Sequence, residues 1–293
     1  MAYAINEAFL SRLERLQTVL KNNCAGNFGG NHKSRLFGSS CEFADHRDYR
    51  PGDDVTKIDW NIYGRTETLS LKRYLDERQL HTRIYIDISR SMDFEEGRKS
   101  ALALEIAATV AYLSVCELDR VSIFTVQESH VEEIISGMAG REQFFRQIGR
   151  LNDITFGGDC MISEGLLPTK VGYGDGLTVI ISDFLTDHDY ETAIDLLVDK
   201  KRDLLCIQTL TTAEINPQIR GKNHLFDAED SSRHYRKKID RDVIAAYREA
   251  VRYVEDRLRN YCNARGASYL LATDQKPVDQ LFFEQMTEVG VLK

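Results

Sequence analysis

The chain has no C-x-x-C pair, no H-x-x-x-H spacing, no G-x-S-x-G elbow, no G-x-x-x-x-G-K-S/T loop and no G-x-G-x-x-G turn behind a strand. In turn these absences exclude a paired-cysteine zinc site, a helix-borne zinc hydrolase, an α/β-hydrolase nucleophile, a phosphate-cradling NTPase loop and a dinucleotide-binding turn. A surplus of positive charge is missing too. Lys and Arg number 38 against 46 Asp and Glu, a net charge of −8, which argues against general nucleic-acid binding. No apolar run approaches the length that spans a bilayer, and the N-terminus lacks the basic-then-apolar order of a signal peptide. Six scattered cysteines (Cys24, Cys41, Cys116, Cys160, Cys206, Cys262) read as reduced thiols rather than a disulfide frame. The expectation is a cytoplasmic protein with no membrane span and no nucleic-acid partner.

What is present is an ordinary globular composition, 42% apolar and 29% charged, in 293 residues that can bury one large core or two unequal ones. Three segments follow. Residues 1–25 hold a helix with apolar positions at Phe9, Leu10, Leu13, Leu16, Val19 and Leu20. A loop rich in Asn and Gly, including Gly26, Gly29 and Gly30, leads into a small β-rich unit over 26–81. In that unit Pro51-Gly52 suits the centre of a type II turn, Ile58–Tyr63 and Leu69–Tyr74 alternate as strands, and Trp60 is expected to anchor the core. From 82 to 293 strands alternate with helices. Strands are expected at 83–88, 121–126, 131–136, 177–182, 204–210 and 268–272, and helices at 98–116, 140–150, 189–199, 240–264 and 278–287. That pattern is a doubly wound, mostly parallel α/β sheet.

The chemistry gathers at strand ends. Ile84–Ile88 is an apolar run closing on Asp87-Ile-Ser89-Arg-Ser91, one carboxylate and two hydroxyls able to converge on a hard cation such as Mg²⁺ (or Mn²⁺). Leu177–Ser182 is a second apolar run and closes on Asp183. Between them lies Gly157-Gly158-Asp159. Asp159 either joins Asp87, Ser89, Ser91 and Asp183 as a ligand or caps the short helix behind it. Asp87 and Asp183 sit at loop ends, so their replacement is expected to leave the fold intact. A second charged motif surrounds the Pro-Gly turn: Arg47, Arg50, Asp53, Asp54 and Asp59, with Arg65 beyond it. It serves as either a structural Arg–Asp network or a docking surface.

D-x-S-x-S, a Gly-Gly segment and Ser-Asp at a strand end resemble the metal-ion-dependent adhesion site of von Willebrand factor A domains. At the threonine place of that pattern this chain carries Asp159. Gly38 to Phe43, Arg47 to Asp54, Ile58-Asp59-Trp60, Arg65, the Glu77 region, Phe226-Asp227-Ala-Glu229 and the helix around Tyr247 resemble the family labelled domain of unknown function 58. That resemblance implies a von Willebrand A-like fold. It also implies a non-enzymatic interaction module acting with a MoxR-type AAA ATPase, or its client, in protein maturation or remodelling. The alternative is a Mg²⁺-dependent hydrolase built on Asp87, Asp159 and Asp183.

Overall fold

The computed structural model describes residues 4–23, 37–75, 80–169, 176–186, 188–219, 221–226 and 234–282. In chain order the elements are α1 (Glu7–Asn23), β1 (Phe37–Asp48), α2 (Trp60–Thr66), β2 (Ser70–Leu75), β3 (His81–Asp87), α3 (Arg98–Cys116), β4 (Arg120–Gln127), β5 (His130–Ala139) and α4 (Gly140–Gln147). They continue with α5 (Ile162–Leu166), β6 (Leu177–Ser182), α6 (Glu191–Asp199), β7 (Asp203–Leu210), α7 (Thr212–Ile215), β8 (Gly221–Phe226), β9 (His234–Ile239), α8 (Arg241–Ala264) and β10 (Ser268–Thr273). The chain divides into two units, one of Met1–Gly26 with Leu80–Lys293 and one of Asn27–Gln79. The loop with Gly29 and Gly30, Glu77, the Asp227–Glu229 segment and residues 283–287 lie outside the described residues.

In the larger unit the six strands run in the order β10-β7-β6-β3-β4-β5. Every neighbouring pair is parallel except β4 with β5. β3 therefore sits inside the sheet, as its unbroken apolar run requires. Ile84 and Ile86 enter the core under α3, while Tyr85 enters the core on the opposite face with Ile194 and Leu258. Each face must be covered because neither carries a polar alternation. The strand order reverses between β3 and β6, and at such a point an open α/β sheet leaves a crevice beyond its carboxyl ends.

α3 lies across the sheet with Leu102, Ile106 and Val110 buried. Contrary to the reading that no apolar run is long enough, this helix is long and apolar enough to span a bilayer. Seventy-eight per cent of its apolar stretch is buried within the protein, however, which is the condition of a core helix. α1 is not a segment apart: Ile5, Phe9 and Leu13 join the core beneath α3. Asn152 clamps its start by accepting from the Ile5 amide at 3.0 Å and donating to the Ile5 carbonyl at 2.9 Å. At the far end of the chain α8 closes on Gly266 in a left-handed conformation, φ 72°. Ala267 donates to the Cys262 carbonyl and Gly266 to that of Asn263, a Schellman ending.

The smaller unit pairs β1 with β2 antiparallel. Here the alternation over Ile58–Tyr63 misleads. Asp59 accepts from the Asn61 amide at 2.9 Å and caps α2, so the segment is a helix and not a strand. Helix geometry also turns Trp60 outward. The residue is 63% exposed and its ring meets Tyr63 edge-on, so it does not anchor a core. The turn follows expectation, since the Asp53 backbone amide donates to the Arg50 carbonyl and Gly52 has φ 102°.

Candidate functional site at the carboxyl edge of the sheet

β3 delivers Asp87 to the reversal point, and the loop behind it is pinned by backbone bonds. The Gly157 amide donates to the Ile88 carbonyl at 2.8 Å and the Arg90 amide to the Gly158 carbonyl at 2.9 Å. Gly158 itself has φ 71°, a conformation that leaves glycine as the natural occupant of this bend. The D-x-S-x-S and Gly-Gly-Asp loops therefore lie side by side.

Asp87 is 5% exposed. Its Oδ1 accepts from the Ser89 amide at 2.8 Å and its Oδ2 from the Ser182 hydroxyl at 2.6 Å. Burial, then the negative charge of Asp183, push its pKa up against those hydrogen bonds. Among the described residues no ammonium or guanidinium pairs with it. Ser89 and Ser91 place their hydroxyl oxygens 3.0 Å apart. Neighbouring corners of a Mg²⁺ octahedron with metal–oxygen bonds of about 2.1 Å are also about 3 Å apart. These hydroxyls are hydrogen-bonded to each other, and beside a buried carboxylate with no cationic partner among the described residues their oxygens suit a small divalent cation. No three His, Cys, Asp or Glu side chains group as a metal centre among the described residues, so such an ion would rest on a mixed hydroxyl and carboxylate set.

Asp183 is differently placed. Its Oδ1 accepts from the Leu185 amide at 3.0 Å, and its Oδ2 takes an ammonium proton of Lys99 at 2.6 Å. Lys99 is fully buried in the first turn of α3 and also donates to Glu214 at 2.7 Å. Burial alone would lower the lysine's pKa, but the two carboxylates outweigh it and leave the ammonium above its usual value. Asp159 turns its Oδ2 to His188 Nε2 at 2.6 Å and its Oδ1 to the Cys160 amide at 2.7 Å. Asp87, Ser89 and Ser91 thus meet directly, Asp183 joins them through Ser182 and a charge felt at Asp87, and Asp159 faces His188 on the neighbouring loop.

Lys99, Glu214 and His188 are absent from any reading by motif. Two signals point to Lys99 and Glu214, and none to His188. A lysine in the first turn of an apolar helix opposes the helix dipole and needs a reason of its own. Thr211-Thr-Ala-Glu214 behind β7 is a capping-box pattern, and both of its hydrogen bonds form.

The smaller unit carries the second motif. Arg47 forks onto Asp53 with two bonds of 2.7 Å, and the Arg50 amide donates to the same carboxylate at 2.8 Å. Arg50 thus contributes its backbone, and Arg47 the side chain. Asp54 caps the short helical turn Val55–Lys57, Asp59 also bonds His46 at 2.9 Å, and Arg65 lies in the last turn of α2. The Arg47–Asp53–Arg50 bonds close the turn.

Fold and site together define an α/β protein with oxygen donors gathered at the reversal point of its sheet. The chain belongs to the family described as protein of unknown function DUF58, whose profile matches residues 45–257. Uncharacterized proteins of Mycobacterium tuberculosis and Mycobacterium bovis are each 26% identical over 223 residues, 74% of this chain and 70% of theirs. Among solved structures, the SpRpn10 VWA domain is similar over 71% of this chain and 95% of its own, at 9% identity and a TM-score of 0.39. Proximal thread matrix protein 1 of the mussel byssus, with a zinc-occupied MIDAS motif, is similar over 44% of this chain and 35% of its own, at 11% identity and a TM-score of 0.33. These structural likenesses are distant, and the fold stands on the strand order and connections described above.

Proposed function

We propose that this chain is a non-enzymatic protein-interaction module whose crevice carries a divalent cation, Mg²⁺ or Mn²⁺, and engages a MoxR-type AAA ATPase or that ATPase's client. The observation that carries the reading is the meeting of Asp87, Ser89 and Ser91 at the sheet's reversal point, with an oxygen spacing suited to a hard cation. When bound, the ion supplies an open coordination position for a partner's oxygen. The chain's own residues orient that face: the Ser89 amide and Ser182 hydroxyl hold Asp87, and Lys99 holds Asp183. Four carboxylates, Asp87, Asp159, Asp183 and Glu214, against the Lys99 ammonium leave three negative charges, so one divalent ion leaves the crevice negative. The partner group it favours is therefore polar or basic rather than a lone carboxylate. Buried free thiols at Cys160, Cys206 and Cys262 support a cytoplasmic setting.

The test is a titration of the immobilised full chain with its purified cognate ATPase, in Mg²⁺ and in EDTA. Binding weaker by roughly tenfold in EDTA, and equally in Asp87→Ala, is expected for a metal-coupled contact. Undiminished binding in chelator sinks the metal face.

The hydrolase reading retains one supporting observation. His188 bonded to Asp159 at 2.6 Å is an oriented acid–base group beside the crevice. Turnover of a phosphoester with Mg²⁺ or Mn²⁺ that disappears in His188→Ala would favour it over the interaction module.

A further inference from the structure

Lys99 uses all three of its ammonium protons, and each goes to a different loop. It donates to the Ser91 carbonyl behind β3 at 3.3 Å, to Asp183 behind β6 at 2.6 Å and to Glu214 behind β7 at 2.7 Å. These strands are neighbours in the sheet, and their carboxyl-end loops form one side of the crevice. Glu214 is fixed from its other oxygen, which accepts from the Thr211 amide at 2.7 Å and hydroxyl at 3.1 Å. The ammonium is fully buried and stands at the end of α3 where the helix dipole disfavours a cation. Its position is set by the acids around it and not by the helix it belongs to.

We infer that Lys99 is a tethered cation that assembles the Asp183–Glu214 half of the crevice without a metal and sets how strongly the Asp87–Ser89–Ser91 half binds one. It is a positioning residue, acting through the carboxylates it holds. The second part rests on the proposed cation site, while the first does not. A fixed positive charge beside a dication repels it, so Lys99 restrains metal affinity, and Glu214 offsets that restraint. Removing the lysine leaves Asp183 and Glu214 buried without a counter-charge, a vacancy of charge that a divalent ion can fill.

The experiment uses the full chain, stripped with EDTA and then titrated with MgCl₂ alone, read by calorimetry and by thermal midpoint. The wild-type midpoint is expected to move little with Mg²⁺. Lys99→Met should melt roughly 10 °C lower in EDTA, as breaking a buried ion pair implies for a chain of this size. It should recover much of that loss in Mg²⁺ and bind the ion about tenfold more tightly than wild type. Glu214→Gln should move affinity the other way by several-fold, and Lys99→Arg should keep the wild-type midpoint more nearly than Lys99→Met. A destabilised Lys99→Met that Mg²⁺ does not rescue, or unchanged Mg²⁺ affinity in Glu214→Gln, overturns the inference and leaves Lys99 a structural residue. No calorimetric Mg²⁺ binding by the wild type, with binding gained in Lys99→Met, keeps the tethered cation and removes the proposed metal face.

Discussion

Arg47–Asp53 and Lys99–Asp183 are ion pairs of nearly equal length, 2.7 Å and 2.6 Å, in opposite surroundings. The first has side chains 40% and 21% exposed; the second, 0% and 3%. Length therefore says little about what each pair does. The exposed pair lies six positions apart in sequence and closes a turn, in contact with solvent that screens it. The buried pair joins positions 84 apart and ties α3 to the loop behind β6, where a stranded charge has no water to turn to. One stabilises a local shape; the other ties together loops from distant parts of the chain.

The comparison breaks first at Asp183. Its loop-end position suggested a replacement the fold would tolerate, but a 2% exposed carboxylate bonded to a buried ammonium is a core residue in its energetics. Asp183→Ala should cost about 3–5 kcal/mol in urea unfolding. Arg47→Ala should shift the same midpoint only slightly, and less still at high salt. Equal losses would show that burial does not separate the two pairs.

Asp87 sharpens the contrast from the other side, as a buried carboxylate near a like charge with no cationic partner among the described residues. Its native pKa is raised, so metal-free stability falls as pH climbs from the ordinary carboxylate value through that raised one. Asp87→Asn should then stabilise the metal-free protein at neutral pH and flatten that pH dependence, while abolishing any Mg²⁺ response. A loss of stability would mean that the bonds from Ser89 and Ser182 outweigh the repulsion. In the smaller unit, Gly52→Ala should cost about 1 kcal/mol, because the turn needs φ 102° there and space is not the obstacle.

Most of the larger unit was legible because its strands are apolar on both faces and its helices carry wide apolar stripes. β3, β6 and β7 fall within a residue or two of the spans read from periodicity. Periodicity failed where the segment was short. Over Ile58–Tyr63 two apolar positions per turn look like alternation, and only the cap at Asp59 distinguishes the two. The Asp87–Ser89–Ser91 part of the crevice was legible because its donors are two residues apart. Lys99 and Glu214 stand 115 positions apart, so no spacing could announce their meeting. Asp159 was read as a ligand or a cap, and the partner that occupies it, His188, comes from another loop.

The smallest effect belongs to the exposed pair and tests it without mutation. The Arg47 side chain, then the Arg50 amide, hold the Asp53 carboxyl down to about 2. An acid depressed in the folded state lends stability that is present above its unfolded value and is lost as pH falls through its folded one. Asp53 should therefore support the turn undiminished at neutral pH and release it only in strong acid, below the range where ordinary surface carboxylates titrate. Following the Asp53 side-chain carboxyl resonance from pH 6 downward reads this directly. A midpoint near 4, the ordinary carboxylate value, would show that Arg47 does not hold it in solution, and the network around Pro51-Gly52 would then rest on the Arg50 amide alone.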